Sequence, residues 1–329
     1  MYQEYYNFTG KPFQLIPDVN CLFASRGHLQ ALSYFKYGLE QGEGFVTVTG
    51  EIGAGKTTLI QALLADLEDK NVVVRTMVAA NLDSTGVLEM IASVFDLPHE
   101  DLSKVALLKI IEAHFLEYRN QGQNILLVVD EAQTLNADAL EELRILSNLE
   151  QKGRAVMQVF LVGQAELRTT ILSKEFEHLR QRIIASYHLD ALTESETKEY
   201  IDFRLNSVGW ENNPSLSKEV YNELYRWSLG IPRRINLLCD RLFVYGYLEE
   251  KSKLTKRDIT TVVADMNKEL GGERTNEFLQ PLSDVSGLHE VDIVLDGSDI
   301  NSRLDKIERK LDKLLDAISK NKIKNKKGK

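Results

Sequence analysis

"GEIGAGKTT", residues 50–58, follows the pattern G-x-x-x-x-G-K-[ST], with Gly50, Gly55, Lys56 and Thr57 in the defining places. Loops of this kind cradle phosphate. Consecutive backbone N–H groups and the N-terminus of the next helix point at the phosphate oxygens, Lys56 supplies a positive charge, and the Thr57 hydroxyl offers a magnesium ligand. The run Gly50, Glu51, Ile52, Gly53, Ala54, Gly55, Lys56, Thr57 and Thr58 is the expected cradle, with ATP and Mg²⁺ its expected occupants. Glycines are needed because a side chain would obstruct the close approach. The flanks fit: "FVTVTG" (45–50) is a β-branched strand ending on Gly50, and "KTTLIQALLADLED" (56–69) is an amphipathic helix opening at the loop. Strand, glycine loop and helix in that order make the fold α/β.

Four more segments, "NVVVRTMVA" (71–79), "NILLVVDE" (124–131), "AVMQVFLVG" (155–163) and "ASYHLDAL" (185–192), read as buried strands. Helical stretches lie near 84–95 and 103–119, and "GHLQALSYFKYGLEQGEG" (27–44) is a helix that stops at Gly42 and Gly44. Apolar strands alternating with helices predict a mostly parallel sheet covered on both faces, in a domain spanning 1–192. From Thr193 the periodicity is helical throughout, predicting a second, all-helical domain over 193–266.

"ILLVVDEA" delivers Asp130 and Glu131 at the C-terminal end of a strand, where ligands of parallel sheets usually sit. Asp130 is the expected magnesium ligand, directly or through water, and Glu131 the group that polarises the attacking water. The pair points to hydrolysis, because phosphoryl transfer needs positioning and charge neutralisation more than covalent chemistry. Gln164 ends the strand of "VFLVGQAEL" and has two readings: it orients the water or senses the γ-phosphate, or it caps the helix that follows. Arg180 and Arg182 in "HLRQRI" are either fingers completing a neighbouring subunit's site or solvated helix arginines. In "GIPRRIN", Arg233 is favoured over Arg234 to reach the γ-phosphate from the helical domain, the alternative being exposed arginines at a helix start.

Cys21 and Cys239 are the only cysteines of the 329 residues, which suits a reducing compartment and offers no disulfide framework. The start, "MYQEYYNFTG", has no basic segment followed by an apolar run, and the apolar runs are far shorter than the roughly 18 residues that span a bilayer. A cytoplasmic protein is expected, peripheral at the inner face of a membrane if its tail engages lipid. The net charge of −9 argues against broad nucleic-acid binding. Residues 267–299, acidic and carrying Gly271, Gly272, Pro281, Gly287 and Gly297, read as a flexible linker. Ile300, Leu304, Ile307, Leu311, Leu314 and Ile318 form a heptad seam over 300–319, a coiled-coil-like helix that either joins subunits or packs back on the chain. Residues 320–329 hold six lysines, either a solvated end or a segment attracted to anionic lipid or nucleic acid.

The stretches "YYNFTGKPFQLIPD", "LFASRGHLQALSYFKYGLEQGEGF", "LVVDEAQTL", "LEELRILSNLE", "LVGQAEL", "LRQRIIASYHL" and "GIPRRINLLCDRL" together resemble the AAA+ ATPases of the general secretion pathway protein A type, over about the first 266 residues. They are similar to the branch associated with exosortase and exopolysaccharide loci. The resemblance implies a P-loop AAA+ core followed by a helical lid. It implies that Lys56 and Thr57 are Walker A residues and Asp130 and Glu131 the Walker B pair. Gln164 would be sensor 1, Arg182 or Arg180 the finger and Arg233 sensor 2. It implies an ATPase that self-assembles with shared sites and serves secretion or polysaccharide-export machinery at the inner membrane. The core is also similar to transposition helper ATPases that bind DNA, a less favoured partner given the acidic chain.

Overall fold

In the computed structural model the sheet is built from five parallel strands whose helical connections lie on both faces. Residues 1–15, 22–65, 67 and 71–269 are described. They belong to one compact unit, Met1–Ser283, and the second unit, Asp284–Lys329, lies outside them. The heptad segment, the lysine tail and the linker from residue 270 onward fall outside the described residues as well.

The main elements in chain order are Arg26–Gln41 (α1), Phe45–Gly50 (β1), Lys56–Ala65 (α2), Val72–Val78 (β2), Ser84–Val94 (α3), Lys104–Asn120 (α4), Asn124–Asp130 (β3), Ala137–Ser147 (α5), Met157–Gly163 (β4), Ala165–Leu172 (α6) and Ile183–Leu189 (β5). The helical part follows as Glu194–Asn206 (α7), Lys218–Ser228 (α8), Pro232–Leu248 (α9) and Lys256–Glu269 (α10). The strand order is β2-β3-β4-β1-β5, parallel at every pairing. This is the mostly parallel α/β sheet, followed by a helical part, that the sequence predicts.

The strands read as apolar runs because they are buried on both sides. Alternate residues feed two separate cores. Phe45, Leu127, Val129, Val159 and Leu161 pack with Leu88, Ile111 and Leu143 of α3, α4 and α5. Val46, Val48, Leu126, Val128 and Phe160 face the other way, onto Phe35 of α1 and Leu59 and Leu63 of α2. Helix starts follow capping chemistry: the side chains of Ser25, Asp83, Ser103, Asn136 and Thr193 each accept a first-turn N–H.

A third core belongs to the helical part, and the beginning of the chain joins it. Tyr2, Tyr6, Phe8 and Phe13 pack among Ile201, Leu224, Leu238 and Phe243. Arg204, almost fully buried, donates from Nε to the Pro12 carbonyl at 2.7 Å, and Tyr2 donates to Asp240 at 2.9 Å. The N-terminal segment, assigned by sequence to the sheet domain, therefore rests on the helices. Tyr2 and Tyr6 share a helical spacing, but Phe8 and Phe13 do not continue it, so the sequence carried no signal of where they dock.

Two smaller differences concern the helical part. It was expected to be all-helical, yet Ser215–Leu216 pairs in parallel with Lys253–Leu254, tying the loops ahead of α8 and α10 together. The last helix runs to Glu269, past the expected end at Met266, because Asn267, Lys268 and Glu269 contain no breaker. A short hairpin, Glu150–Gln151 with Arg154–Ala155, also precedes β4.

Phe13 is fully buried with its ring centroid 5.7 Å from that of Phe243. Phe13→Ala is expected to destabilise the protein by about 3–5 kcal/mol, through lost burial and the cavity left behind. A shift of the urea midpoint corresponding to less than about 1 kcal/mol would show that the strap contributes little to the helical core.

Candidate functional site

The strand order decides where the chemistry collects. β3, β4 and β1 are neighbours, so the loops leaving their C-terminal ends emerge side by side, one strand spacing of about 4.8 Å apart. Register aligns them: Thr49 stands opposite Gly163, and Val129 opposite Leu161. Gly50 with its loop, Asp130 with Glu131, and Gln164 are thereby brought to one edge from three distant parts of the sequence.

The loop is shaped by glycines that have no substitute. Gly53 and Gly55 adopt φ of +84° and +102°, a region L side chains rarely enter. A Cβ on Gly53 would lie 2.5 Å from Arg233 Cβ, and one on Gly55 would lie 3.0 Å from His28 Nε2. The lid thus touches the loop directly. The Arg233 N–H donates to the Gly53 carbonyl at 3.2 Å, and Pro232 at the first position of α9 fixes that helix start.

Around the loop lies a cavity of about 230 Å³, walled by residues 52–58, Asp130 and Glu131 on one side and by Tyr200, Arg204, Arg233 and Asn236 of the lid on the other. Gln14, Leu15, Leu22 and Phe23 line it as well. Tyr200 donates to Asn236 Oδ1 at 2.7 Å, and Asn236 Nδ2 donates to the Gln14 carbonyl at 2.9 Å, fixing this wall. Inside, Lys56 Nζ donates to the Gly50 and Glu51 carbonyls at 2.8 and 2.9 Å. Burial pulls its ammonium below the usual lysine range, against the opposing pull of Glu131 and Asp130. Thr57 Oγ1 donates to Asp130 Oδ2 at 3.2 Å. Two hard oxygens side by side at the mouth of a phosphate-shaped loop fit a magnesium ion whose remaining ligands are phosphate and water. The glycine cradle likewise fits a polyphosphate, since only absent side chains leave the backbone N–H groups approachable.

Glu131 departs from ordinary backbone geometry. Its φ of 54° and ψ of 35° are left-handed, a strain of about 1–3 kcal/mol of the kind that accumulates at functional sites. The turn is held from several directions: Thr134 Oγ1 donates to the Ala79 and Glu131 carbonyls, and the Glu131 N–H donates to Asp130 Oδ1. The Glu131 carboxylate accepts from Gln133 Nε2 at 2.6 Å and from Gln164 Nε2 at 3.2 Å. The Gln133 contact first, with Gln164 and Lys56 assisting, holds its carboxyl below the usual range in spite of partial burial.

Gln164 occupies the N-cap position of α6. Its side chain makes no cap bond to α6 and turns to Glu131 instead. Arg233 lines the cavity, while Arg234 does not; burial lowers Arg234 and the neighbouring Glu51 opposes that shift. Arg180 and Arg182 also stay out of this cavity. Arg180 Nη1 donates to the Leu172 carbonyl at 3.0 Å, and the Arg182 carbonyl accepts from Phe45 N at the opposite edge of the sheet.

Sequence reasoning passed over Gln133 and His28. His28 sits buried under the loop, its Nδ1 2.7 Å from Ser25 Oγ, and burial lowers its pKa despite nearby Glu196. Glu196 itself caps α7 through Thr193 and accepts from the Arg26 N–H at 3.2 Å, linking lid to core. Only the position of Gln133 just after the acidic pair, in "DEAQ", was visible.

Residues 39–171 match the family described as AAA domain. The chain is 34% identical over 268 residues to general secretion pathway protein A of Aeromonas hydrophila, a match covering 81% of this chain and 49% of that protein. The chain thus spans about half the length of this relative. Among solved structures it is similar to the ORC2 protein of Aeropyrum pernix in ADPNP–ADP complexes (TM-score 0.55, 17% identity, 74% of this chain and 68% of that one). It is also similar to ORC1 of Aeropyrum pernix in complex with DNA (TM-score 0.60, 15% identity, 79% and 70%). At such identities these likenesses establish the fold of the AAA domain and its lid. Among the described residues no helix is long and apolar enough to cross a membrane.

Gly53→Ala combines left-handed strain of about 1–2 kcal/mol with a collision against α9. It is expected to weaken binding of a fluorescent ATP analogue about tenfold, equivalent to about 1.4 kcal/mol. An unchanged Kd in equilibrium titration would show that loop and lid need not meet for nucleotide to bind.

Proposed function

We propose that the protein is an ATPase: it binds ATP with Mg²⁺ between core and lid and hydrolyses it to ADP and phosphate. Its conformational change drives a secretion system, in this chain one of exopolysaccharide export or assembly. The observation that carries the enzymatic part is the convergence of Thr57, Asp130 and Glu131 on one cavity beside a glycine-built phosphate cradle, with Gln164 bonded to Glu131.

In this reading the loop N–H groups and Lys56 hold the β- and γ-phosphates, and Lys56 exchanges its two carbonyl partners for phosphate oxygens. Thr57 and Asp130 hold the metal ion, which when bound neutralises developing phosphate charge. Glu131 takes a proton from the attacking water, and Gln164 orients that water or reads the γ-phosphate. Arg233 reaches the phosphates from the lid and links nucleotide state to lid position. Arg182 or Arg180 serves a neighbouring copy's site in an oligomer. That neither lines the chain's own cavity supports this.

The secretion assignment is supported by the 34% identity to general secretion pathway protein A. The exopolysaccharide branch is supported by "LVVDEAQTL" and "LRQRIIASYHL". A cytoplasmic location, peripheral at the inner membrane, is supported by the lysine-rich end of the sequence.

The test is steady-state hydrolysis by the full chain, run alone, with anionic vesicles and with duplex DNA. Lys56→Ala is expected to abolish nucleotide binding. Glu131→Gln is expected to keep binding while turnover falls about 10²–10⁴-fold. Ordinary turnover by Glu131→Gln would sink the assigned chemistry. Stimulation by DNA and not by vesicles would replace the secretion role with that of a DNA-associated ATPase.

A further inference from the structure

We propose that Gln133 is a positioning residue for hydrolysis: it fixes one oxygen of Glu131 and couples that carboxylate to the end of β4. The inference rests on Glu131 acting as the water-activating group.

The Gln133 side chain bridges two elements. Its amide N donates to Glu131 Oε2 at 2.6 Å, and its amide O accepts the Gln164 backbone N–H at 3.0 Å. The amide orientation is fixed by these partners, because the reverse would face N–H against N–H and oxygen against carboxylate. Gln164 adds a second amide donor to the same oxygen at 3.2 Å. Oε2 is thereby anchored twice, while among the described residues no donor reaches Oε1. A carboxylate held this way has one oxygen fixed and the other free to accept a proton, and Glu131 lines the cavity whereas Gln133 does not.

Two observations separate this role from structural support. The 131–134 turn is already secured by Thr134 and by the Asp130 contacts, so Gln133 is not needed to form it. Room for its amide is made on β4 by the absence of a side chain at Gly163, where a Cβ would lie 2.8 Å from Gln133 Oε1. Gly163 has no left-handed φ, so the demand there is for space. The bridge also makes the carboxylate's aim depend on the position of Gln164. A displacement of the β4 end, by nucleotide or by a neighbouring subunit, moves the water-activating group with it.

The experiment compares kcat and KM for Mg–ATP, together with the Kd of a fluorescent ATP analogue, in the full-length wild type, Gln133→Ala, Gln133→Glu, Glu131→Gln and the Gln133→Ala/Glu131→Gln double variant. Gln133→Glu keeps the shape and still accepts from Gln164, but it loses the donor and sets a like charge against Glu131. Both Gln133 variants are expected to lose about ten- to a hundredfold in kcat, the scale of a misplaced catalytic group, with Kd within about twofold. In the Glu131→Gln background, Gln133→Ala is expected to cost nothing further, since its effect passes through Glu131. Wild-type kcat in either Gln133 variant alongside an inactive Glu131→Gln would overturn this inference and leave the ATPase reading standing. So would an equal further loss in the double variant. Normal turnover by Glu131→Gln would remove the ATPase chemistry and this inference together.

Discussion

The adjacency of β3, β4 and β1 is the constraint on which the rest depends. A parallel sheet brings the C-terminal ends of its strands to one edge, and this strand order places the glycine loop, the acidic pair and Gln164 on three consecutive strands. None of these groups is close to another in sequence. Both faces of the three strands must be buried for the edge to hold its shape, which is why these segments consist almost wholly of apolar residues interrupted only by Thr47, Thr49 and Gln158. Those three polar side chains are themselves satisfied, Thr47 and Thr49 by Ser186 and His188 of β5, and Gln158 by the Gly38 and Glu43 carbonyls.

The site is as much a product of the lid as of the sheet. Helix α9 enters with Pro232 and gives its first free N–H, that of Arg233, to the phosphate loop at Gly53. Gly230, one turn earlier, could carry no Cβ without meeting the Leu192 carbonyl at 1.9 Å. The sequence "GIPRR" therefore encodes a close approach at both ends: glycine where chain crosses chain, proline where the helix must begin.

Strong, uninterrupted patterns were legible. Five strands, the loop and the acidic pair could be read because each is signalled locally, by burial on both faces or by a residue spacing that phosphate chemistry demands. What escaped was set by contacts between distant segments. Gln133 acts through a side chain that doubles back after a left-handed residue, and nothing in "DEAQ" reports that turn. His28 lies under the loop although it precedes it by more than twenty residues. Tyr2, Tyr6, Phe8 and Phe13 read as scattered aromatics, and their common destination appears only when the lid's core is assembled. Gln164 was readable as to place but not as to partner, since capping and contact with Glu131 begin from the same position.

The strap formed by the first residues has a mechanical consequence. Because it packs on the lid while α1 packs on the sheet, the chain passes between the two cores twice, between Phe23 and Arg26 and again between Leu189 and Leu192. The two crossings run side by side, joined where the Arg26 N–H meets Glu196. A body held by one tether can swivel freely, whereas one held by two adjacent tethers turns only about the line that joins them. His28, two residues past the first crossing, lies against Gly55, where a Cβ would come within 3.0 Å of its Nε2. The first of the two crossings thus runs straight on into the floor of the phosphate loop.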